Sequence, residues 1–186
     1  MLSPAAVASL VRVFHDPADG AAMKSRELAL MLLDCAPDPF SRAHFAPGHI
    51  TATGLVIAPD GESLLLVHHR RLDRWLLPGG HVDPVDGEIW DTARREVTEE
   101  TSAVLASDSV PGLAGIDVHG IPPGKGEPYH LHHDLIFRFR AISAELRVSE
   151  ESRAVAWCAP AEFGHYQVPH NVRLAYARVT GRPIFA

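Results

Sequence analysis

Apolar residues recur along this chain with two different periods, and the change from one to the other falls near residue 48. Before it the period is helical. Val7, Leu10, Val11 and Phe14 share one face of a helix that Ser3 can cap and Pro4 can open, because the first turn has no use for the missing N–H. A second helical run spans 19–34, closes in LALMLL, and is stopped by the three prolines of APDPFSRAHFAPG. Residues 1–47 are too short for a large core of their own, so they read as an N-terminal helical extension packed on a main domain of residues 48–186. After His49 the strand pattern takes over. ITATGLVIA and SLLLVHH are rich in β-branched or aliphatic residues, with PDGE as a hairpin turn between them. WLLPGGHVDPVDGE reads as a loop, 88–101 as a helix, and GLAGIDVHG as a strand. IPPGKGEP reads as an exposed loop, YHLHHDLIFRFRAI as the longest strand, and RAVAWCA as a short one. A last helix over 169–180 puts Val172, Tyr176 and Val179 on one face. Strands and helices do not alternate regularly, so the expected class is α+β, a layered α/β/α sandwich with a mixed β-sheet.

Composition narrows the function. The net charge is −6, with 17 basic and 23 acidic side chains. An acidic chain is a poor general binder of nucleic acid, whose non-specific affinity comes from neutralised phosphates. Small phosphate ligands stay open, since they need only a local positive site or a metal. The N-terminal segment has no basic stretch leading into a continuous apolar run, so it does not read as a signal peptide. No run of about eighteen apolar residues is present, so no membrane span is expected. Cys35 and Cys158 have no metal-like spacing and read as reduced thiols of a cytoplasmic protein.

The chemistry concentrates in GGHVDPVDGEIWDTARREVTEETSA, residues 79–103. Glu96, Glu99 and Glu100 stand at i, i+3 and i+4 and share one helix face. Three carboxylates held together raise one another's pKa unless a cation sits among them. Beside them Ile89, Trp90, Ala93 and Val97 form an apolar stripe, so this helix packs on something and is not a freely solvated acidic face. Arg95 is placed to orient the carboxylates by charge-assisted hydrogen bonds. Upstream, Pro78-Gly79-Gly80 lets backbone approach a ligand closely. Carboxylates with a backbone carbonyl make a hard oxygen site, suited to Mg²⁺ or Mn²⁺.

Gly80 followed by Arg95-Glu96-Val97-Thr98-Glu99-Glu100 resembles the signature box of the Nudix hydrolases, the MutT-like pyrophosphohydrolases, and Trp75–Val82 resembles its usual lead-in. The resemblance implies a Nudix-like α/β/α sandwich over roughly 49–180 and leaves the first 48 residues outside. Three departures stand out. Fourteen residues separate Gly80 from Arg95 where the family pattern has thirteen, so both Asp86 and Glu88 are candidates for its first acidic position. Ser102 stands where the family has Gly, and Ala103 fills an aliphatic slot. None removes the Arg-Glu-x-x-Glu-Glu core. The resemblance implies hydrolysis of a diphosphate linkage in a nucleoside diphosphate derivative or nucleotide by metal-activated water. It implies Mg²⁺, with Mn²⁺ as a substitute, on Glu96, Glu99, Glu100 and the Gly79 carbonyl. It makes Glu99, Glu100 and Arg95 the expected residues of catalysis, and Glu151, with Glu150 as its rival, the candidate general base from late in the chain.

Outside the box, alternation puts His130, His132, Asp134 and Arg138 on one face of the long strand. A zinc site needs about four ligands, and no cysteine pair completes one here. His130, His132 and Asp134 read either as a polar wall for substrate or as one face of a half-exposed strand, and Arg70 or Arg71 of the His69-Arg70-Arg71 patch as a phosphate contact or a solvated strand end. His81 receives no role from sequence. Two other function classes use the same fold. A ligand sensor has no need of the retained carboxylates, and isopentenyl diphosphate isomerase chemistry needs a cysteine by the box, where this chain has none. Substrate choice is expected from the extension and from loop 119–129, and the N-terminal helices are a candidate contact for a homodimer.

Overall fold

A computed structural model of the chain describes residues 2–107, 110–124 and 126–182. Lys125 of the IPPGKGEP loop and the last four residues of the expected main domain lie outside that set.

The extension forms two helices, α1 (Pro4–Val13) and α2 (Gly20–Cys35). The Ser3 hydroxyl accepts from the Ala6 N–H at 3.4 Å, and the Asp19 carboxylate accepts from the Ala22 N–H at 2.9 Å, so each helix carries a side-chain N-cap. The strands are β1 (Gly48–Ile57), β2 (Leu64–His69), β3 (Arg74–Leu76), β4 (Gly79–His81), β5 (Leu113–Ile121), β6 (His130–Arg140) and β7 (Ser152–Cys158). Helix α3 (Ile89–Thr101) follows β4, and α4 (His170–Thr180) ends the fold.

The seven strands make one mixed sheet. Its main order is β3-β2-β1-β6-β5, with β4 added to β1 and β7 to β2. The β1–β6 pair is parallel, and every other pair is antiparallel. Both faces are covered, which is why β1 is buried along nearly its whole length. On one face Ile50, Ala52, Val56, Leu135, Phe137 and Phe139 pack with residues of α1, α2 and α3. On the other, Leu55, Leu64, Leu66 and Ile136 pack with Val172, Ala175 and Tyr176 of α4. The result is the expected α/β/α sandwich. The extension shares the first core and is also tied by polar contacts: Arg178 of α4 donates to Asp16 at 2.8 Å and to Asp19 at 3.1 Å.

One expectation needs correction. WLLPGGHVDPVDGE is not loop throughout, because it contains β3 and β4. Each is three residues long, too short to show a period, and each owes its form to a distant partner: β3 to β2, and β4 to β1.

Helix α3 ends at Ser102, which has φ 55° and caps it in the left-handed region. An L-residue there costs about 1–2 kcal/mol that Gly avoids. Ser102→Gly is therefore expected to raise stability by about 1 kcal/mol, or roughly 2–4 °C in Tm for a domain of this size, measured by thermal melts. A melt unchanged or lowered counts against the cap geometry.

Candidate active site

The site is built where α3 meets β4 and β1. The apolar stripe of α3 faces the sheet, with Ile89, Ala93 and Val97 at 1% exposure or less. That seats the adjacent carboxylate face against β4. The two glycines of β4 make the fit possible. A Cβ on Gly80 would lie 2.6 Å from the Glu96 carboxyl, so only glycine lets β4 and this carboxylate approach so closely. The Gly79 N–H donates to Glu100 at 3.0 Å, which fixes the second carboxylate from the same strand.

Arg95 organises the cluster. Its guanidinium donates to both oxygens of Asp86 (3.1 and 3.0 Å), to Glu96 at 2.8 Å, to Glu99 at 3.5 Å and to the His81 carbonyl at 2.9 Å. Asp86 also accepts from the Thr92 hydroxyl (2.7 Å) and the Asp83 N–H (2.9 Å). Burial opposes its charge, but these bonds, led by Arg95, hold its pKa below the ordinary range. The choice left open by the extra loop residue is thereby decided for the anchoring role. Asp86 is the buried partner of Arg95, while Glu88 is the exposed N-cap of α3, its N–H donating to Asp91 at 2.9 Å.

The charge balance is uneven. Glu100 is 7% exposed, and burial pushes its carboxyl up to about 7. The Gly79 N–H opposes this, and the charges of Glu96, Glu151 and Glu99 add to it. Glu96 is raised too, first by burial, with Arg95 acting against it and Glu99 and Glu151 for it. Four acids thus act on one another here, and Glu151 reaches the group from the turn before β7. Among the described residues Arg95 is the guanidinium bonded to two of them, Glu96 and Glu99, and it is already shared with Asp86. A divalent cation among oxygen donors is the chemistry that relieves this excess, so the donor set fits such an ion.

All four acids line one cavity of about 1880 Å³, which also reaches Arg70, His130, His132 and Asp134. Glu150 is not on its wall. Arg70 is exposed and spends part of its guanidinium on the Ser152 carbonyl at 3.2 Å. Asp134 is buried, accepting from Thr51 at 2.9 Å and Thr53 at 2.8 Å. Burial raises its pKa despite the bond from Thr53, the His119 charge and the bond from Thr51. His130 is 2% exposed, with Nδ1 2.8 Å from the Pro128 carbonyl. His132 is half-buried and held down to about 2, by burial first and then by His49, His81, His119 and His130. The extension contributes wall as well: Phe40, Ser41 and Arg42 line the cavity, and Arg42 pairs across it with Glu127 of loop 119–129 at 3.6 Å. Neither cysteine takes part. Cys35 is exposed on α2, and Cys158 is buried with its thiol pushed up to about 12 by that burial.

The chain matches the NUDIX domain family model over residues 48–180. It belongs to the NUDIX family. A MutT-like protein of Streptomyces ambofaciens is 31% identical over 115 residues, covering 61% of this chain and 65% of that protein, so the match spans just under two-thirds of that relative's length. The nucleoside triphosphatase NudI of Escherichia coli is 29% identical over 98 residues, 51% of this chain and 68% of that protein. Among solved structures, the NUDIX domain of Shewanella oneidensis NrtR, complexed with ADP ribose, superposes with a TM-score of 0.53 at 17% identity, covering 70% of this chain and 88% of that one. A NUDIX hydrolase from Nitrosomonas europaea gives 0.51 at 16%, covering 71% and 88%. These two likenesses bear on the fold. The NUDIX match starts at Gly48, where the strand pattern begins. No helix among the described residues is long and apolar enough to cross a membrane.

What sequence reasoning missed in this NUDIX site is a set of imidazoles. His49 and His81 join His132, with ring centroids 5.0 Å apart for His49–His81, 4.8 Å for His49–His132 and 5.1 Å for His81–His132. The signals in the sequence are the high histidine count, 12 in all, and the alternation that puts His130 and His132 on one face of the long strand. The three lie on β1, β4 and β6, and the sequence does not say which strands are neighbours.

Proposed function

We propose that this chain hydrolyses a diphosphate linkage in a nucleotide-type substrate, using Mg²⁺ or Mn²⁺ held by Glu96, Glu99, Glu100 and the carbonyl of Gly79. The observation that carries the reading is the convergence of Glu96, Glu99, Glu100 and Glu151 on one cavity with too little positive charge to match them. When bound, a divalent ion neutralises phosphate charge and lowers the pKa of a coordinated water. The chain's own residues do the rest. Arg95 holds Glu96 and Glu99 in position and is itself braced by Asp86. The Gly79 N–H holds Glu100. Glu151 faces the cluster from the β7 side, where a carboxylate can take a proton from the attacking water. Arg70, His130, His132 and Asp134 supply polar wall for the substrate, and Arg42 and Glu127 bound it on the side of the extension. The similarity to the nucleoside triphosphatase NudI supports a nucleotide-type substrate.

The test is a panel of nucleoside triphosphates, ADP-ribose, diadenosine polyphosphates and nucleotide sugars, run with Mg²⁺, with Mn²⁺ and with EDTA. Cleavage of one class between phosphorus atoms, abolished by EDTA, is expected. Tight binding of a panel member with no turnover in either metal makes the chain a ligand sensor and sinks the hydrolase reading.

A further inference from the structure

The cavity that holds the carboxylates is also lined by His81 and His132, with His49 buried against both rings. Nitrogens of His49, His81 and His132 all lie within 4.8 Å of one another. The sheet brings them together: His49 and His132 are register partners across β1 and β6, and His81 on β4 is the partner of Thr51, two residues along β1 on the same face. His49 is fully buried, and its Nδ1 sits 3.2 Å from the His44 carbonyl. A carbonyl only accepts, so Nδ1 carries the proton and Nε2 offers a lone pair. That Nε2 is buried and, among the described residues, has no hydrogen-bond partner. A buried polar atom left so is costly, and a bound cation removes the cost.

We propose that His49, His81 and His132 form a second metal site, which holds one borderline divalent transition ion, Zn²⁺ fitting best, beside the carboxylate site. Three imidazoles select such an ion over Mg²⁺, which prefers oxygen. Zinc nitrogen bonds of about 2.0–2.1 Å bring tetrahedral ligand atoms to roughly 3.3 Å apart, so the rings close on the ion by small rotations. The contact of His49 with the His44 carbonyl is the usual outer support of a metal-bound histidine, fixing its tautomer. Three protein ligands leave a fourth position for water or an anionic oxygen of the substrate. His81 and His132 line the cavity shared with Glu96, Glu99 and Glu100, and Arg95 bonds the His81 carbonyl, so one residue joins the two sites. Strand β6 alone offers too few ligands for such an ion. The sheet supplies the other two from β1 and β4.

The test uses the full chain stripped of metal and titrated with Co²⁺ and Zn²⁺ against a chromophoric chelator, in the wild type and in Glu100→Gln, His132→Ala and His81→Asn. The first equivalent of Co²⁺ is expected to give the intense visible bands of a tetrahedral, nitrogen-ligated ion in the wild type and in Glu100→Gln, and any further Co²⁺ taken up by the carboxylates adds only weak octahedral bands. Affinity is expected to fall at least about tenfold in each histidine variant that keeps its native circular dichroism. Only pale octahedral Co²⁺ spectra, loss of the intense bands in Glu100→Gln, or wild-type affinity in a folded histidine variant overturns the proposal. The wild-type and Glu100→Gln spectra decide the matter even where a histidine variant fails to fold. The readout is metal binding, so the proposed hydrolysis at the carboxylates stands or falls separately.

Discussion

Glu100→Gln is expected to lower metal-dependent turnover by on the order of 10²–10³-fold, about 2.7–4 kcal/mol of transition-state stabilisation, while leaving the fold as stable or more so. The two halves of this result follow from one observation. Glu100 is nearly buried, at 7% exposure, among Glu96, Glu99 and Glu151. Glutamine keeps the shape and still accepts from the Gly79 N–H, but it removes one negative charge from the set proposed to hold the ion. Without metal, that charge is a burden on the fold. A carboxyl raised from 4.5 to about 7 binds more protons folded than unfolded over that interval. Its contribution is therefore fully present below pH 4.5 and is lost as pH rises through 7. The difference amounts to at most about 3 kcal/mol above pH 7. In EDTA at pH 8, urea unfolding of Glu100→Gln should accordingly show higher stability than the wild type, and the gap should close by pH 5. Adding Mg²⁺ should raise the wild-type Tm more than that of the variant. Turnover within threefold of the wild type, or a variant that is simply unstable, would remove Glu100 from the proposed machinery.

Gly79→Ala should damage both stability and activity. A Cβ there would sit 2.4 Å from the Thr53 hydroxyl oxygen, 2.7 Å from the Thr53 Cα and 2.9 Å from the Ala52 carbonyl oxygen. Two of these are backbone atoms of the central strand, which cannot rotate aside. Strand β4 must then lift from β1, at an expected cost of about 2–4 kcal/mol. Because β4 also carries the N–H that holds Glu100, and Gly80 against Glu96, turnover falls with it. The comparison is Gly20→Ala, at the start of α2, where a Cβ meets nothing within 4 Å. Equal denaturation midpoints for Gly79→Ala and the wild type would show that β4 does not lie so close.

Part of this site is legible in the amino-acid sequence. The i, i+3, i+4 spacing of Glu96, Glu99 and Glu100 depends only on helix geometry, and the neighbouring stripe of Ile89, Ala93 and Val97 shows which side is buried. The long strands are legible for the same reason, since β-branched runs of five or more residues carry their own period. Asp86 and Glu88 are not separable in this way, because one extra loop residue changes spacing without revealing which acid turns inward. The structure separates them by burial, with Asp86 enclosed by Arg95 and Thr92.

By itself the sequence determined the α+β class, the helices and longer strands, and the carboxylate face with Arg95 beside it. All of these are local, set by periodicity within one segment. Tertiary structure decided what depends on segments distant in the chain. It made strands of Arg74–Leu76 and Gly79–His81 through their partners, brought Glu151 to the acid cluster, and put the extension on the cavity wall. It also assembled His49, His81 and His132 on one face of the sheet. The physical reason is common to these: a three-residue strand or a lone histidine has no period of its own, and its role arises only from the neighbours that strand pairing gives it.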